Sequence, residues 1–64
     1  MKSYSSREVI KILEDDGWYK IHTVGDHHQF KLPTKKGKVT VTHPKKDITL
    51  RTLKSIEKQS GVKF

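Results

Sequence analysis

The chain has 64 residues and a formal charge of +7, and it contains no cysteine. A chain of this length is predicted to form one small domain over residues 1–64, with a core too small to enclose a pocket for a small metabolite. The absence of cysteine excludes disulfides and thiolate chemistry and fits a reducing cytoplasm. No apolar run is long enough to span a bilayer. We therefore expect a cytoplasmic protein that works through an open surface, without a membrane or a small-molecule cofactor.

The excess of positive charge favours a polyanionic partner, with nucleic acid as the leading candidate. A solvated surface that only maintains solubility is the alternative, and the choice depends on whether the charge is clustered. Between Lys31 and Lys46 there are six lysines and no acidic residue. This clustering favours a nucleic-acid partner.

A helix is predicted close to the start of the chain. Ser5 and Glu8 have the spacing of a capping box, in which each side chain bonds to the backbone amide of the other residue. Apolar residues at helical spacing follow, and Gly17 suits the left-handed conformation that ends many helices. We predict this helix over about residues 6–16.

Two strands and a tight turn are predicted next. Gly25 and Asp26 have the pattern of a type II′ hairpin turn, because glycine accepts a positive φ at the first central position. This turn places Val24 opposite His27, and successive side chains then alternate between two faces. The predicted core face carries Tyr19, Ile21, Thr23, His28, Phe30 and Leu32. The predicted outward face carries Lys20, His22, Val24, His27, Gln29 and Lys31.

A third strand is predicted over residues 38–43, after a break at Pro33. We expect Leu32 to lie opposite Val39. The same register would pair Phe30 with Val41 and His28 with His43. On the outward face this strand would add Lys38, Thr40 and Thr42.

A second amphipathic helix is predicted from Leu50, Leu53 and Ile56, with its end at Gly61. Two helices with one apolar stripe each, together with one apolar sheet face, predict an α+β fold in the order α-β-β-β-α. Both helices would cover one face of a three-stranded antiparallel sheet. The other face would remain open to a partner.

Several short elements, in this order, resemble those of the HicA toxins, small bacterial ribonucleases of toxin–antitoxin pairs. The elements are Gly17-Trp18, Gly25-Asp26-His27, the following Phe30, the run from Val39 to Pro44, and Leu50-x-x-Leu53. The resemblance covers almost the whole chain and implies a fold like the double-stranded RNA-binding domain. It also implies the toxin of a type II system, an endoribonuclease (mRNA interferase) that arrests translation and growth and is neutralised by a HicB-like antitoxin. The family's catalytic histidine corresponds to His27.

Many HicA proteins have serine where this chain has Asp26. A carboxylate in the turn could cap nearby backbone amides, or it could raise the basicity of a neighbouring imidazole. The sequence leaves both roles open.

RNA cleavage without a metal needs a base for the 2′-hydroxyl proton, an acid for the leaving 5′-oxygen and cations near the phosphorus. Histidine suits either proton role, because its ordinary pKa of about 6.5 leaves both forms available near neutrality. We predict that His27 acts as general acid or base, with His22 as a candidate for the second role. The predicted RNA-binding residues are Lys20, His22, Gln29, Lys31, Lys38, Thr40 and Thr42.

The four histidines and the basic sheet face allow three further interpretations. His28 and His43 are expected on the core face, where a hydrogen-bonded imidazole is commoner than a catalyst. A metal site built from the four histidines is disfavoured, because adjacent strand positions point apart and no cysteine or carboxylate completes a set. The second functional class is a non-catalytic RNA-binding module with the same fold, and incubation with RNA separates it from a ribonuclease.

Overall fold

The structure, a computed structural model, describes residues 3–64 and confirms the order α-β-β-β-α. Helix α1 spans Ser6–Asp15, strands β1, β2 and β3 span Tyr19–Val24, His27–Lys31 and Val39–Thr42, and helix α2 spans Leu50–Ser60. The strands form one antiparallel sheet in the order β1-β2-β3. Within residues 3–64, neither helix has the length and apolar character needed to cross a membrane.

Helix α1 begins and ends close to the predicted positions. The hydroxyl of Ser5 accepts from the Glu8 amide at 3.2 Å, and the Glu8 carboxylate accepts from the Ser5 amide at 3.0 Å. Asp16 is the C-cap, and Gly17 follows with φ of +103°. A Cβ atom on Gly17 would lie 3.0 Å from the Cδ1 atom of Leu32, which is the end of a flexible side chain, so the positive φ is the main reason for glycine here.

Helix α2 buries only part of its predicted stripe. Leu53 and Ile56 are buried, but Leu50 is exposed. Steps of three residues rotate about 60° each around an α-helix, so Leu50 lies roughly 120° away from Ile56. The buried positions continue instead at Ser60, and Ile48 enters the core just before the helix.

The core lies between both helices and one face of the sheet, here called the inner face. Trp18, the residue before β1, is 2% exposed, and its indole N–H donates to the Asp16 carboxylate at 3.2 Å. The inner face is marked by the buried Phe30 of β2 with Val39 and Val41 of β3. The helices contribute Val9, Leu13, Leu53 and Ile56.

The hairpin begins with the predicted register and then departs from it. Gly25 has φ of +58° and Asp26 has a negative φ, the signs of a type II′ turn. The predicted pairs Val24–His27, Thr23–His28 and His22–Gln29 are confirmed. Beyond them a β-bulge leaves Ile21 unpaired, so the remaining pairs are Lys20–Phe30 and Tyr19–Lys31.

This bulge exchanges the faces of two residues, because one extra residue reverses the alternation beyond it. Tyr19 lies opposite Lys31 and joins the open face of the sheet. Lys20 lies opposite Phe30 and turns to the inner face. The predicted core position of Tyr19 and the predicted outward position of Lys20 are therefore wrong.

The register of β2 and β3 differs from the prediction by two residues. Val39 pairs with Phe30, whereas the prediction paired Val39 with Leu32. Strand β2 ends at Lys31, and the Leu32 carbonyl accepts from the Lys35 amide at 3.1 Å in a turn. An even shift keeps every side chain on its predicted face. The remaining pairs are His28–Val41, Gln29–Thr40 and His27–Thr42.

Strand β1 lies largely outside the cover of the helices. Both helices pack mainly on β3, at the opposite edge of the sheet, and all six residues of β1 are exposed. The predicted burial of Ile21 and Thr23 is therefore wrong. Local alternation predicted a core face, but the placement of the helices decides how much of it is covered.

Candidate nucleic-acid interface

The face of the sheet opposite the helices carries most of the predicted site residues, and we call it the outer face. His27 lies between Val24 and Thr42 of the neighbouring strands, and Gln29 lies between His22 and Thr40. The outer face consists of Tyr19, His22, Val24, His27, Gln29, Lys31, Thr40 and Thr42. The fold thus brings together His27 and five of the seven predicted RNA-binding residues.

The two remaining predicted lysines have different positions. Lys38 precedes β3, and its ammonium group donates to the Gln29 side chain at 3.1 Å, which holds it at the outer face. Lys20 instead lines a shallow cleft on the inner face together with Glu14 and His28. The bulge at Ile21 is the reason, and Lys20 does not belong to the outer face.

His27 is an exposed side chain beside a carboxylate. Its Nε2 atom lies 3.5 Å from a carboxylate oxygen of Asp26, and the two side chains are 59% and 60% exposed. This separation gives attraction without a short hydrogen bond. The Asp26 carboxylate therefore lies beside the imidazole that one of its two predicted roles involves.

The backbone of this turn is tied to the third strand. The Asp26 carbonyl accepts from the His43 amide at 2.8 Å, one step beyond the His27–Thr42 pair. The position of His27 is therefore fixed by strand pairing on both sides, with Val24 and Thr42, and by the hydrogen bond of the turn. Histidine at such a site can exchange protons with a ligand lying on the open face.

His28 and His43 lie on the inner face, as predicted. The rings of His28 and His43 meet edge to face with centroids 5.1 Å apart. His43 Nδ1 is 2.7 Å from the hydroxyl of the buried Ser6, which also accepts from the Lys45 amide at 2.8 Å. The tautomer of His43 determines whether Ser6 donates to this ring or accepts from it. This imidazole joins the start of α1 to the end of β3.

The lysines that cluster in the sequence do not form one patch in the fold. Lys31 and Lys38 reach the outer face. The ammonium group of Lys35 donates to the Ser60 carbonyl at 2.7 Å, at the end of α2. Lys45 and Lys46 line a cleft beside the start of α1. Of these five lysines, two contribute positive charge to the outer face.

Within residues 3–64, no three histidine, aspartate or glutamate side chains are grouped closely enough to hold a metal ion. The alternation of β2 explains part of this, because His27 and His28 point to opposite faces.

Tyr19 is the outer-face residue that sequence reasoning missed. No glycine or proline near Ile21 signals a bulge, and strict alternation assigned the tyrosine to the core. The exposed apolar surface of Tyr19 and Val24 also belongs to this face.

Together, the fold and this face define a small α+β protein whose open sheet surface presents imidazole, ammonium, amide and hydroxyl groups. The family described as HicA toxin of bacterial toxin-antitoxin matches residues 6–62. The chain is also similar to a solved structure described as the HicA3 and HicB3 toxin-antitoxin complex, with 32% identity and a TM-score of 0.76 over 95% of this chain and 98% of that chain. No protein with a curated description matches. The chain belongs to the HicA toxin family.

Proposed function

We propose that this protein is the toxin of a type II toxin–antitoxin system and cleaves messenger RNA as an endoribonuclease in the cytoplasm. The observation that carries the proposal is the position of His27. It is exposed on the open face, next to Asp26, in a chain of the HicA family. An open sheet can accept a long, flexible polymer, which an enclosed pocket could not. Because a single cut disables a message, slow turnover suffices for growth arrest.

The proposed reaction uses the nucleophile that RNA already carries. A base removes the 2′-hydroxyl proton, the 2′-oxygen bonds to phosphorus, and the bond from phosphorus to the 5′-oxygen breaks as that oxygen takes a proton. His27 acts as the base or the acid, and the Asp26 carboxylate lies 3.5 Å from its Nε2 atom. Nδ1 then remains for the substrate.

Neighbouring groups supply the remaining requirements. His22 lies diagonally across the strand pair from His27, a separation of roughly 7–8 Å that can bracket a phosphodiester. It is the candidate for the second proton transfer. Lys31 and Lys38 provide positive charge for the phosphoryl group, and Gln29 hydrogen-bonds RNA alongside Thr40 and Thr42. The substrate provides the nucleophile, so we propose that cleavage proceeds without a metal.

We also propose that a HicB-like antitoxin neutralises the protein by covering the outer face. The similar solved structure is described as a complex of HicA3 with HicB3. A face with His27, Lys31 and Lys38 attracts acidic or hydrogen-bonding groups from a partner, and covering it would exclude RNA.

Two adjacent histidines provide the first test. His27→Ala is expected to abolish RNA cleavage and growth arrest while the free energy of unfolding changes by at most about 0.5 kcal/mol, because the side chain is exposed. His28→Ala removes a half-buried ring from the inner face and should cost roughly 1–3 kcal/mol, with cleavage retained by the folded fraction. Thermal melting and cleavage of single-stranded RNA by both variants measure the two effects.

A stable, inactive His28→Ala protein together with an unstable His27→Ala protein would contradict the assignment of the two faces. If the parent protein binds RNA but leaves it intact, the non-catalytic RNA-binding module is the correct reading.

Two lysines on opposite faces provide the second test. For a single strand, log K falls by about 0.7 per unit of log salt for each phosphate neutralised. Lys31→Ala should make this slope less steep by about 0.7, the value for one phosphate, because Lys31 lies on the outer face. Lys20→Ala is the matched control on the same hairpin, and its slope should equal that of the parent. A larger change for Lys20→Ala would place the RNA on the inner face.

The antitoxin proposal is tested by amide hydrogen exchange on the purified toxin–antitoxin complex. Amides of β1 and β3 should be protected, because they are the edge strands that flank His27. High salt should weaken the complex, since the face is cationic. Protection confined to α1 and α2 would show that the partner binds the other side.

A further inference from the structure

The bulge in β1 has a second result, the exposure of an aromatic ring on the outer face. Tyr19 pairs with Lys31 and is 48% exposed. Trp18, one residue earlier, is 2% exposed and fills the core. The aromatic pairs found among residues 3–64 are Tyr4 with Phe64 and His28 with His43, so the ring of Tyr19 is in neither.

An exposed aromatic ring beside a lysine is the combination that binds single-stranded nucleic acid. A base stacks on the ring while the cation contacts the adjoining phosphate, and any base can take part because each has a π face. Tyr19 and Lys31 are opposite neighbours on one face, at the spacing of a directly opposed strand pair.

The position relative to His27 is also suitable. His27 lies four residues from Lys31 along β2, which is about 13 Å of extended strand. A base on Tyr19 would therefore belong to a nucleotide a few positions away from the cleaved bond. The residues between them on β2 and β3 offer the hydrogen-bonding groups of Gln29 and Thr40.

We propose that Tyr19 is a stacking platform for an unpaired nucleobase, and that Lys31 holds the phosphate next to it. This site rests on the proposed function, since it binds the same RNA that His27 cleaves. It gives the protein a preference for single-stranded RNA, because a base paired and stacked within a duplex cannot lie on the ring. It also extends the RNA contact from the turn to the far end of the hairpin.

The test measures binding, not cleavage, in proteins that also carry His27→Ala. Fluorescence anisotropy with a short single-stranded RNA should show affinity at least about fivefold lower for Tyr19→Leu and nearly unchanged for Tyr19→Phe, because the phenylalanine ring still stacks. Leu50→Ala, which removes another exposed apolar side chain away from this face, is the matched control and should bind as the parent does. Thermal melting of each variant checks that it is folded.

RNA with an abasic nucleotide shows whether a loss of affinity comes from stacking or from another contact. Replacing the contacted base by an abasic site should lower the RNA affinity of the protein that retains Tyr19. The RNA affinity of the Tyr19→Leu variant should not change. Equal RNA affinity for Tyr19→Leu and its parent would overturn the stacking site alone. A parent protein that binds no RNA would overturn the proposed function as well. If Tyr19→Leu weakens only binding to the antitoxin, the ring belongs to a protein interface and the stacking proposal is wrong.

Discussion

The pairing of β1 with β2 determines which side chains can meet a ligand. The turn at Gly25 sets this pairing, and the burial of Phe30 fixes which face of the sheet meets the helices. Because strand side chains alternate, a slip of one residue would exchange the whole outer face for the inner one. His27 and His28 are neighbours in sequence, yet this register assigns one to solvent and the other to packing. The candidate chemistry therefore depends on the backbone of the hairpin.

Much of the fold follows from local signals in the sequence. The capping box at Ser5 and Glu8, the glycines that end the helices, and the hairpin turn each have a direct physical reason and appear as predicted. The β2–β3 register was wrong by two residues, but an even shift left the faces intact. The bulge at Ile21 could not be predicted in the same way, because no local residue requires it. It is the reason that Lys20 leaves the outer face and Tyr19 joins it.

Two other differences come from tertiary placement. Strand β1 alternates like a half-buried strand, but the helices lie over β3 and leave it uncovered. The lysines that cluster in the sequence separate in the fold, where Lys35 binds the end of α2 and Lys31 stays on the sheet. From the sequence alone, these lysines are treated as one cluster of positive charge. Only the fold shows that few of them lie near His27, so the proposed contact with RNA depends more on hydrogen-bonding and aromatic groups.

In the proposed mechanism His27 moves protons while the RNA supplies its own nucleophile. Mass spectrometry of the fragments from a defined RNA, cleaved in the presence of a metal chelator, tests this most directly. The mechanism predicts upstream fragments that end in a 2′,3′-cyclic phosphate or in the 3′-phosphate formed by its hydrolysis. Upstream fragments that end in a 3′-hydroxyl, or cleavage that stops in the chelator, would contradict it.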